Sequence, residues 1–305
     1  MNLNYFSTFT GIGAFEQAVK NTSLGWQCAG YSEIDPYAIK MFEKNHPGHK
    51  NYGDIKNMIS WKTDYLSFEN KIPDIIPDFD LLVGGFPCQD LSIAKKNREG
   101  LKGDRSGLFY QMIRMIEVKK PKYVLIENVA SMKKEDRDII TQELSKAMGQ
   151  RIEPVMINAA LVTAQQRKRL FWCNWKVDQP EDRGIYLRDI VGDIFNIEKP
   201  VDKPIRIGEI GNRNNSGRVS QGHGIYGLHG KSLSLTNTPH RIGYFDKENK
   251  SIVHRRLTPI EYEKLQGFPD GYTEGVSNTR RYMGLSNAFC VPVIEHIIKS
   301  LIKTL

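Results

Sequence analysis

The stretch FDLLVGGFPCQ, residues 79–89, contains the most informative feature of the chain. Its first half predicts a buried strand over residues 80–83, which two glycines end. Pro87 has a fixed φ and favours an extended conformation at Phe86, so the chain stays open after the strand. Cys88 is therefore expected at the carboxyl end of a strand, where open α/β sheets carry their chemistry. The alternative is a small buried cysteine in an ordinary loop.

The chain has 305 residues, enough for one large domain and a smaller one. Its four cysteines, Cys28, Cys88, Cys173 and Cys290, lie far apart and form no CxxC pair. This spacing argues against a disulfide framework and a zinc site, and it favours a reducing compartment. The N-terminal pattern predicts no signal peptide, and we expect no membrane-spanning segment. We expect a cytoplasmic protein, associated with the nucleoid if the source is prokaryotic.

The positive charge is concentrated in one part of the chain. The formal net charge is +8, and residues 201–256 hold ten Lys or Arg side chains against four acidic ones, together with eight glycines. A local excess of this kind indicates a polyanionic partner, and we interpret the segment as a nucleic-acid-binding region. The alternative is a solvated basic surface.

Strand-like and helix-like segments alternate over the first 175 residues. Repeated β-α alternation predicts a mixed, mostly parallel sheet with helices on both faces. The predicted strands are residues 4–9, 27–31, 80–83, 123–126, 153–157 and 169–172, and the predicted helices are residues 14–20, 36–44, 106–118 and 135–148.

The character of the chain changes near residue 179. Residues 180–254 are rich in Gly, Asn, Ser and His, with short strand-like pieces at 224–226, 233–235 and 242–245. Helical patterns return with Thr258 as N-cap and Glu261 as its capping-box partner, and end with a helix over residues 289–304. We therefore predict a catalytic and cofactor-binding domain over residues 1–178, a small loop-rich domain over 179–254, and a return to the first domain over 255–305.

A glycine turn, FTGIG at residues 9–13, follows the first predicted strand. Such a turn lets the backbone approach a ligand at a helix N-terminus. Glu33 follows the second strand about twenty residues later, where an acid can bind ribose hydroxyls, and Asp54 is suited to an exocyclic amine. The third glycine of the dinucleotide fingerprint is missing. This absence disfavours a pyrophosphate-binding cradle and leaves room for a nucleoside cofactor without phosphates, such as S-adenosylmethionine.

Two further groups can carry chemistry. Glu127 directly follows the predicted strand 123–126, so it is either an active-site acid or a helix cap, and we favour the first. Arg167 and Arg169 stand two residues apart in the stretch QQRKR, residues 165–169. In an extended chain both arginines face one side and can bind an oxygen-rich substrate.

These pieces, in this order, closely resemble the DNA (cytosine-5) methyltransferase family, and the resemblance covers almost the whole chain. One motif alone is weak, whereas the ordered set is very specific. Several stretches also look similar to the animal de novo branch. Two positions depart from the family pattern, because Ser7 replaces an acid and Ser286 replaces a glycine. The motifs are FTGIG 9–13, SEID 32–35, GDI 53–55, GFPCQ 85–89, GLF 107–109, ENV 127–129, QxRxR 165–169, RLTP 256–259, LQGFP 265–269, SNA 286–288 and VPV 291–293.

The resemblance implies a function and a mechanism. It implies a Rossmann-like S-adenosylmethionine-dependent methyltransferase with a small target-recognition domain at residues 179–254. The implied reaction moves a methyl group from S-adenosylmethionine to C5 of a flipped-out cytosine in a specific double-stranded DNA sequence. Cys88 is the implied nucleophile that adds to C6 of the base. Glu127 holds the N3 and 4-amino edge, Arg167 contacts the 2-oxo group, and Arg169 is a second catalytic partner.

The resemblance also implies two sets of binding residues. The cofactor set is Phe9, Thr10, Gly11, Gly13, Glu33, Ile34, Asp54, Ile55, Leu108 and Asn287. The DNA-binding set is Ser92, Arg213, Arg218, Ser234 and Arg241, in which the arginines are candidate guanine readers. The expected partners are double-stranded DNA and, in a restriction-modification system, an endonuclease that acts on the same site. We expect a monomer without metal and without a membrane partner.

Two alternative functions stay open. The RNA branch of the family methylates transfer RNA and carries a cysteine-containing element in its smaller region, whereas residues 178–254 contain no cysteine. The second alternative is a non-catalytic DNA-binding homologue, although Cys88, Glu127 and Arg167 are all present. A nicotinamide-dependent oxidoreductase is disfavoured by the missing third glycine.

Overall fold

The computed structural model describes residues 2–58, 76–87, 106–192, 203–209, 224–246 and 249–304. Contacts along the chain group it into two compact units. The first comprises Met1–Ile157, Lys168–Asp178 and Ile297–Leu305, and the second comprises Asn158–Arg167 and Gln179–His296. By this grouping residues 255–296 lie in the second unit. The functional boundaries expected at residues 178 and 254 stay a prediction.

A mixed sheet forms the centre of the first unit. Its described strands are β1 (Asn4–Thr8), β2 (Gln27–Ser32), β3 (Leu81–Gly84), β4 (Tyr123–Val129), β5 (Pro154–Asn158) and β6 (Lys168–Cys173). Their order in the sheet is β2-β1-β3-β4-β6-β5. β1 is parallel to β2 and β3, and β3 is parallel to β4, whereas β6 is antiparallel to β4. The predicted mixed, mostly parallel sheet is therefore confirmed.

The described helices of the first unit are α1 (Ala14–Thr22), α2 (Pro36–Asn45), α3 (Ile55–Met58), α4 (Phe109–Lys119) and α5 (Lys134–Met148). Two of them, α1 and α2, begin at the predicted residues, α4 and α5 begin within three residues of theirs, and the short α3 was not predicted. Asp35 caps the second helix, because its side chain accepts hydrogen bonds from the backbone N–H groups of Tyr37 and Ala38, and Pro36 occupies the first helical position.

Close packing brings the ends of β1 and β3 together. All four residues of β3 are buried, as expected for a strand covered on both faces. The Thr8 hydroxyl donates to the Val83 carbonyl over 3.0 Å. A Cβ atom at Gly84 would overlap the Thr8 hydroxyl and would approach Met112 Cε to 2.7 Å, so this contact requires glycine. The chain therefore leaves β3 toward residues 85–87 in direct contact with the end of β1.

The second unit contains a smaller sheet and short helices. Its described strands are β7 (Arg206–Glu209), β8 (Gly224–Gly227), β9 (Arg241–Asp246) and β10 (Ser251–Arg256), in the order β10-β9-β8-β7. β8 and β9 are parallel, and the other two pairs are antiparallel. The predicted strands at residues 224–226 and 242–245 are confirmed. Residues 233–235 form no strand, because the Leu235 N–H bonds to the side chain of Gln165 instead of to a sheet.

The remaining helices are α6 (Leu187–Val191), α7 (Pro259–Gln266), α8 (Asn278–Asn287) and α9 (Val291–Ile302). The capping box of α7 between Thr258 and Glu261 is confirmed. By length and composition, the segment Asn278–Ile302 is apolar enough to cross a membrane. Its regular helix is interrupted at residues 288–290, and 56% of its most apolar window is buried inside the structure. Such burial is typical of a core helix.

Candidate active site

The carboxyl-terminal edge of the parallel strands collects several of the predicted site residues. The glycine turn follows β1, Glu33 follows β2, and residues 85–87 follow β3. Glu127 lies within β4, which extends to Val129 instead of ending at residue 126 as predicted. Cys88, Ser92, Arg213 and Arg218 lie outside the described residues.

The glycine turn has a left-handed backbone at three of its five residues. Phe9, Gly11 and Gly13 have φ angles of 51°, 59° and 86°. A positive φ is uncommon for a residue with a side chain, so the conformation of Phe9 is held by its surroundings. One such restraint follows directly, because the Thr10 N–H donates to the Ser32 carbonyl at the end of β2 over 3.2 Å. Gly13 then becomes the N-cap of α1.

The carboxylate of Glu33 closes the turn from the side of β2. Its Oε2 accepts the Gly11 N–H over 2.7 Å. Its Oε1 accepts the N–H groups of Ile34 and Asp35 over 2.8 and 2.9 Å. The next side chain, Ile34, is 67% exposed, which is unusual for a large apolar group. A carboxylate and an uncovered apolar side chain thus stand side by side at the turn.

Asn51 connects Glu33 to the loop that holds Asp54. The Asn51 side chain accepts the Gly53 N–H over 2.9 Å and donates to the Glu33 carbonyl over 3.1 Å. Asp54 accepts the Lys56 N–H at the start of α3 over 2.9 Å, and the adjacent Ile55 is buried. Asn51 carries no local signal in the sequence, because its role depends on a bridge between Tyr31 and Asn51 that no local pattern predicts.

These residues fit a nucleoside. Glu33 and Asp54 supply carboxylates, which can accept hydrogen bonds from hydroxyl and amino groups. Ile34 supplies an exposed apolar surface. The side chains of Phe9 and Leu108 are half-buried and pack against the hydrophobic core of the first unit. Among the described residues, no group of three or more His, Cys, Asp or Glu side chains could hold a metal ion.

An ion pair lies at the end of β4. Arg169 Nε lies 2.9 Å from Glu127 Oε1, and the two side chains are only 18% and 12% exposed. The antiparallel register explains the contact, because Glu127 is opposite Phe171 and Val129 is opposite Arg169. Glu127 and Arg169 are therefore diagonal neighbours on one face of the sheet. This face presents a carboxylate and a guanidinium in a fixed mutual orientation.

Asn128 joins the end of β4 to the end of β3. It is buried, its side chain donates to the Phe86 carbonyl over 3.0 Å, and its side-chain oxygen accepts the Val129 N–H over 2.8 Å. The Phe86 backbone is thereby held two residues before Cys88. No signal in the sequence analysis singled out Asn128 beyond its place in the ENV motif.

The two arginines of the QxRxR motif make different contacts. The structure brings Glu127 together with Arg169, for which the resemblance implies the role of a second catalytic partner. Arg167 precedes β6, and its Nη2 donates to the carbonyls of Ser286 and Ala288 over 3.0 and 2.8 Å. The extended strand begins only at Lys168, so the condition under which both arginines face one side is not met at Arg167. The catalytic roles that the resemblance implies for Arg167 and Arg169 stay predictions.

Among the described residues, three that are predicted to bind cofactor or DNA lie in the second unit. Asn287 is exposed at the end of α8, and the Arg167 guanidinium bonds to the carbonyls on either side of it. Ser234 is half-buried in the irregular segment beside Leu235. Arg241 begins β9 directly opposite Arg256 of β10.

A buried carboxyl lies behind the glycine turn. Glu16, in the first turn of α1, is 3% exposed. Burial raises the pKa of Glu16 from an ordinary 4.5 to about 7, and the helix backbone and the Ser7 hydroxyl offset only part of that rise. The chain thus has a carboxyl facing Ser7, the position where the resembled family has an acid.

The three described cysteines are held as thiols. Burial raises the pKa of Cys28 and of Cys290 to about 12, and it raises the pKa of Cys173 as well. A protonated thiol is a poor nucleophile. These three cysteines are therefore unsuited to nucleophilic chemistry in the folded protein.

Glu16→Gln is expected to change how stability depends on pH. The folded protein keeps the Glu16 proton up to about pH 7, whereas the unfolded chain loses it near pH 4.5, so wild-type stability falls as pH rises between these values. The variant lacks this fall, so its free energy of unfolding rises relative to that of wild type by up to about 3 kcal/mol between pH 4.5 and 8. Urea unfolding at several pH values measures this difference.

Glu117→Gln serves as the control, because Glu117 is an exposed glutamate of α4. It should keep the wild-type pH dependence. Parallel stability curves for wild type and Glu16→Gln would show that the Glu16 carboxyl is ionised in the folded protein at the same pH as in the unfolded chain.

Comparison with known proteins identifies the family. The model of the C-5 cytosine-specific DNA methylase family matches residues 3–205 and 198–303. The chain is 32% identical over 313 residues to the type II methyltransferase M.NlaX of Neisseria lactamica, covering 96% of this chain and 94% of that protein. It is 27% identical over 328 residues to the type II methyltransferase M.HhaI of Haemophilus parahaemolyticus, covering 97% and 93%.

Solved structures share the fold. The Entamoeba histolytica methyltransferase EhMeth superposes with a TM-score of 0.69 at 17% identity, covering 100% of this chain and 99% of that one. A putative DNA modification methyltransferase encoded within an Escherichia coli prophage gives 0.63 at 19% identity, covering 99% of both. The sequence relatives above are bacterial type II methyltransferases, which corrects the expected similarity to the animal de novo branch. The chain belongs to the C-5 cytosine-specific DNA methylase family and is a DNA (cytosine-5)-methyltransferase.

Proposed function

We propose that this chain methylates C5 of an extruded cytosine within a defined duplex sequence, through a covalent bond between Cys88 and C6 of the base. The observation that carries the proposal is the arrangement at the ends of β3 and β4. There Glu127 is paired with Arg169, and Asn128 holds the Phe86 carbonyl two residues before Cys88. The target carbon is inaccessible inside a duplex, so the base must leave the stack to reach this edge.

The residues around the glycine turn are proposed to hold S-adenosylmethionine. When bound, this cofactor supplies a methyl group on a positively charged sulfur. Glu33 is suited to the ribose hydroxyls and Asp54 to the amino group of the base, while Ile34 covers one face of the ring. The remaining proposed cofactor contacts are Phe9, Thr10, Gly11, Gly13, Ile55, Leu108 and Asn287.

The chemistry assigned to Cys88 and Glu127 follows from the electronic structure of cytosine. C5 is a poor nucleophile until the Cys88 thiolate adds to C6, which moves ring electrons toward C5 and N3. Glu127, in its protonated form when the base is bound, donates a hydrogen bond or proton at N3 and so stabilises the charge that develops there. C5 then takes the methyl group, a base removes the C5 proton, and the electron pair of that C–H bond expels the thiolate.

The arginines are proposed to act at different places. Arg169 holds the Glu127 carboxylate in position and places a cation beside the ring edge that Glu127 binds. Arg167 is a positioning residue, because its guanidinium bonds to the carbonyls that flank Asn287. Removal of Arg167 is thus expected to disturb the backbone around a proposed cofactor residue.

The smaller sheet supports a role in DNA recognition. Arg241 and Arg256 are directly opposite each other on neighbouring strands, and neither has a carboxylate within ion-pair distance among the described residues. Like charges in this position repel, and an anion between them relieves that repulsion. Phe245 lies on the same face of β9 as Arg241 and is 55% exposed. An antiparallel ribbon of this kind fits the major groove of DNA.

The proposed partners follow from this function. Double-stranded DNA is the substrate, and a single copy of the chain carries all proposed residues. Because the relatives named above are type II methyltransferases, we also propose an endonuclease that cleaves the same DNA sequence as a cognate partner.

Cys88→Ser is expected to lower methylation by about 1,000-fold or more, because it removes the attacking sulfur. A plasmid library treated with protein and isotopically labelled S-adenosylmethionine, followed by bisulfite sequencing, measures both activity and site. Cys28→Ser is the matched control and should keep wild-type turnover, since burial holds the Cys28 thiol protonated. Undiminished methylation by Cys88→Ser, or methylation of transfer RNA in place of DNA, would contradict the proposal.

Arg241→Ala is expected to weaken specific DNA binding by about 1–3 kcal/mol and to relax the choice of one base pair. The sequencing assay and a binding titration with target and altered duplexes measure both effects. Arg206→Ala is the control, because Arg206 of the same sheet is already paired with Glu209 over 2.8 Å. Unchanged affinity and unchanged site choice in Arg241→Ala would remove Arg241 from the recognition surface.

A further inference from the structure

A cavity of about 410 Å³ opens beside the end of β4 in the first unit. It lies on the sheet face opposite the Glu127–Arg169 pair, because Lys168 and Leu170 of β6 line it while Arg169 between them points to the other face. None of its lining residues takes part in the proposed mechanism.

Three cations line this cavity. Lys134 and Arg137 come from the start of α5, and Lys168 comes from the start of β6. Lys134 and Lys168 are exposed, and neither has an acidic partner within ion-pair distance in the part of the chain that the structure describes. Arg137 has one 3.5 Å contact with Asp138, and both side chains are largely exposed. Such a surface pair is weak, so the Arg137 guanidinium can exchange it for an anion.

The rest of the lining is apolar. Met132, Met156 and Leu170 form most of it. Met156 is 44% exposed and lies in β5, the edge strand of the sheet. No acidic side chain is part of the described lining, and the positive end of the α5 dipole adds to the charge of the three cations. The cavity therefore combines an uncovered apolar floor with cations, which suits a ligand that has both an anionic group and an apolar body.

The same strand ends carry the cavity and the proposed cytosine site. Ala130 of the lining follows β4 and stands three residues after Glu127, and the two lining residues of β6 flank Arg169. If the DNA strand that delivers a base to Glu127 runs along this edge of the sheet, its phosphates, at about one negative charge per 1.7 Å of helix axis, come within reach of these cations.

We propose that the cavity binds one sugar-phosphate unit of the DNA strand that carries the target cytosine. Lys134, Arg137 and Lys168 bind the phosphate, and the methionine floor contacts the deoxyribose. This inference rests on the proposed function, since it assigns further residues that bind the same DNA substrate. A free nucleotide has the same chemistry, and the experiment separates the two sources.

The test compares two double variants with the same change in charge. Lys134→Gln/Lys168→Gln removes two of the cavity cations, and Lys133→Gln/Lys40→Gln removes two exposed lysines that do not line the cavity. Duplex binding is measured by fluorescence anisotropy between about 50 and 200 mM salt. The cavity variant is expected to bind the duplex about tenfold more weakly. The slope of log binding constant against log salt concentration should become about 1 less steep, which is the effect of one lost phosphate contact. The control variant should keep the wild-type slope.

Separate measurements keep the possible failures apart. Equal thermal midpoints for both variants show that each is folded. Wild-type methylation of DNA together with an unchanged slope in the cavity variant overturns the inference and leaves the proposed function standing. Absence of methylation by wild type overturns the proposed function itself. Calorimetric binding of deoxycytidine monophosphate that is lost in the cavity variant, while its DNA slope stays unchanged, also overturns the inference in favour of a free nucleotide.

Discussion

The antiparallel pairing of β6 with β4 is the constraint on which the catalytic edge of the first unit depends. This pairing sets Arg169 diagonally opposite Glu127 and holds their charged groups 2.9 Å apart in a largely buried place. A buried carboxylate without a cation is costly, so each member of the pair restrains the other. The next residue of β4, Asn128, holds the Phe86 backbone from the same strand. The end of β4 thus positions the Glu127 carboxylate and, through Asn128, the backbone two residues before Cys88.

The proposed cofactor-binding residues are likewise held in place by contacts within the protein. Glu33 accepts the Gly11 N–H, and Asn51 fastens the backbone of Glu33 to the loop of Asp54. These contacts exist within the protein itself, so the turn, the two acids and the exposed Ile34 side chain need little rearrangement to receive a nucleoside. In the second unit, the side chains of Gln165 and Arg167 bond to backbone groups and so stabilise the structure. Arg241 and Arg256, on neighbouring strands, remain available to bind an anion.

Local signals in the sequence predicted the parts of the fold that depend on local physics. Strand periodicity, the Asp35 cap and the Thr258–Glu261 capping box are all confirmed, because each depends on residues within a few positions. The contact between Glu127 and Arg169 was not predictable in this way. Spacing alone cannot say that β6 begins at Lys168, and so it cannot separate the roles of Arg167 and Arg169. Asn51, Glu16 and the cation-lined cavity were missed, because each arises from residues brought together only by the tertiary fold.

The central claim is that the β4 edge holds a pyrimidine ring while Cys88 bonds to C6. Covalent trapping on a duplex with 5-fluorocytosine at the target, in the presence of S-adenosylmethionine, tests it most directly, because fluorine at C5 blocks the final elimination. Intact-protein mass spectrometry should show a stable protein–DNA adduct for wild type, formed about 100-fold more slowly by Glu127→Gln. A wild-type protein that methylates ordinary DNA without forming this adduct, or a Glu127→Gln variant that traps at the wild-type rate, would contradict the account.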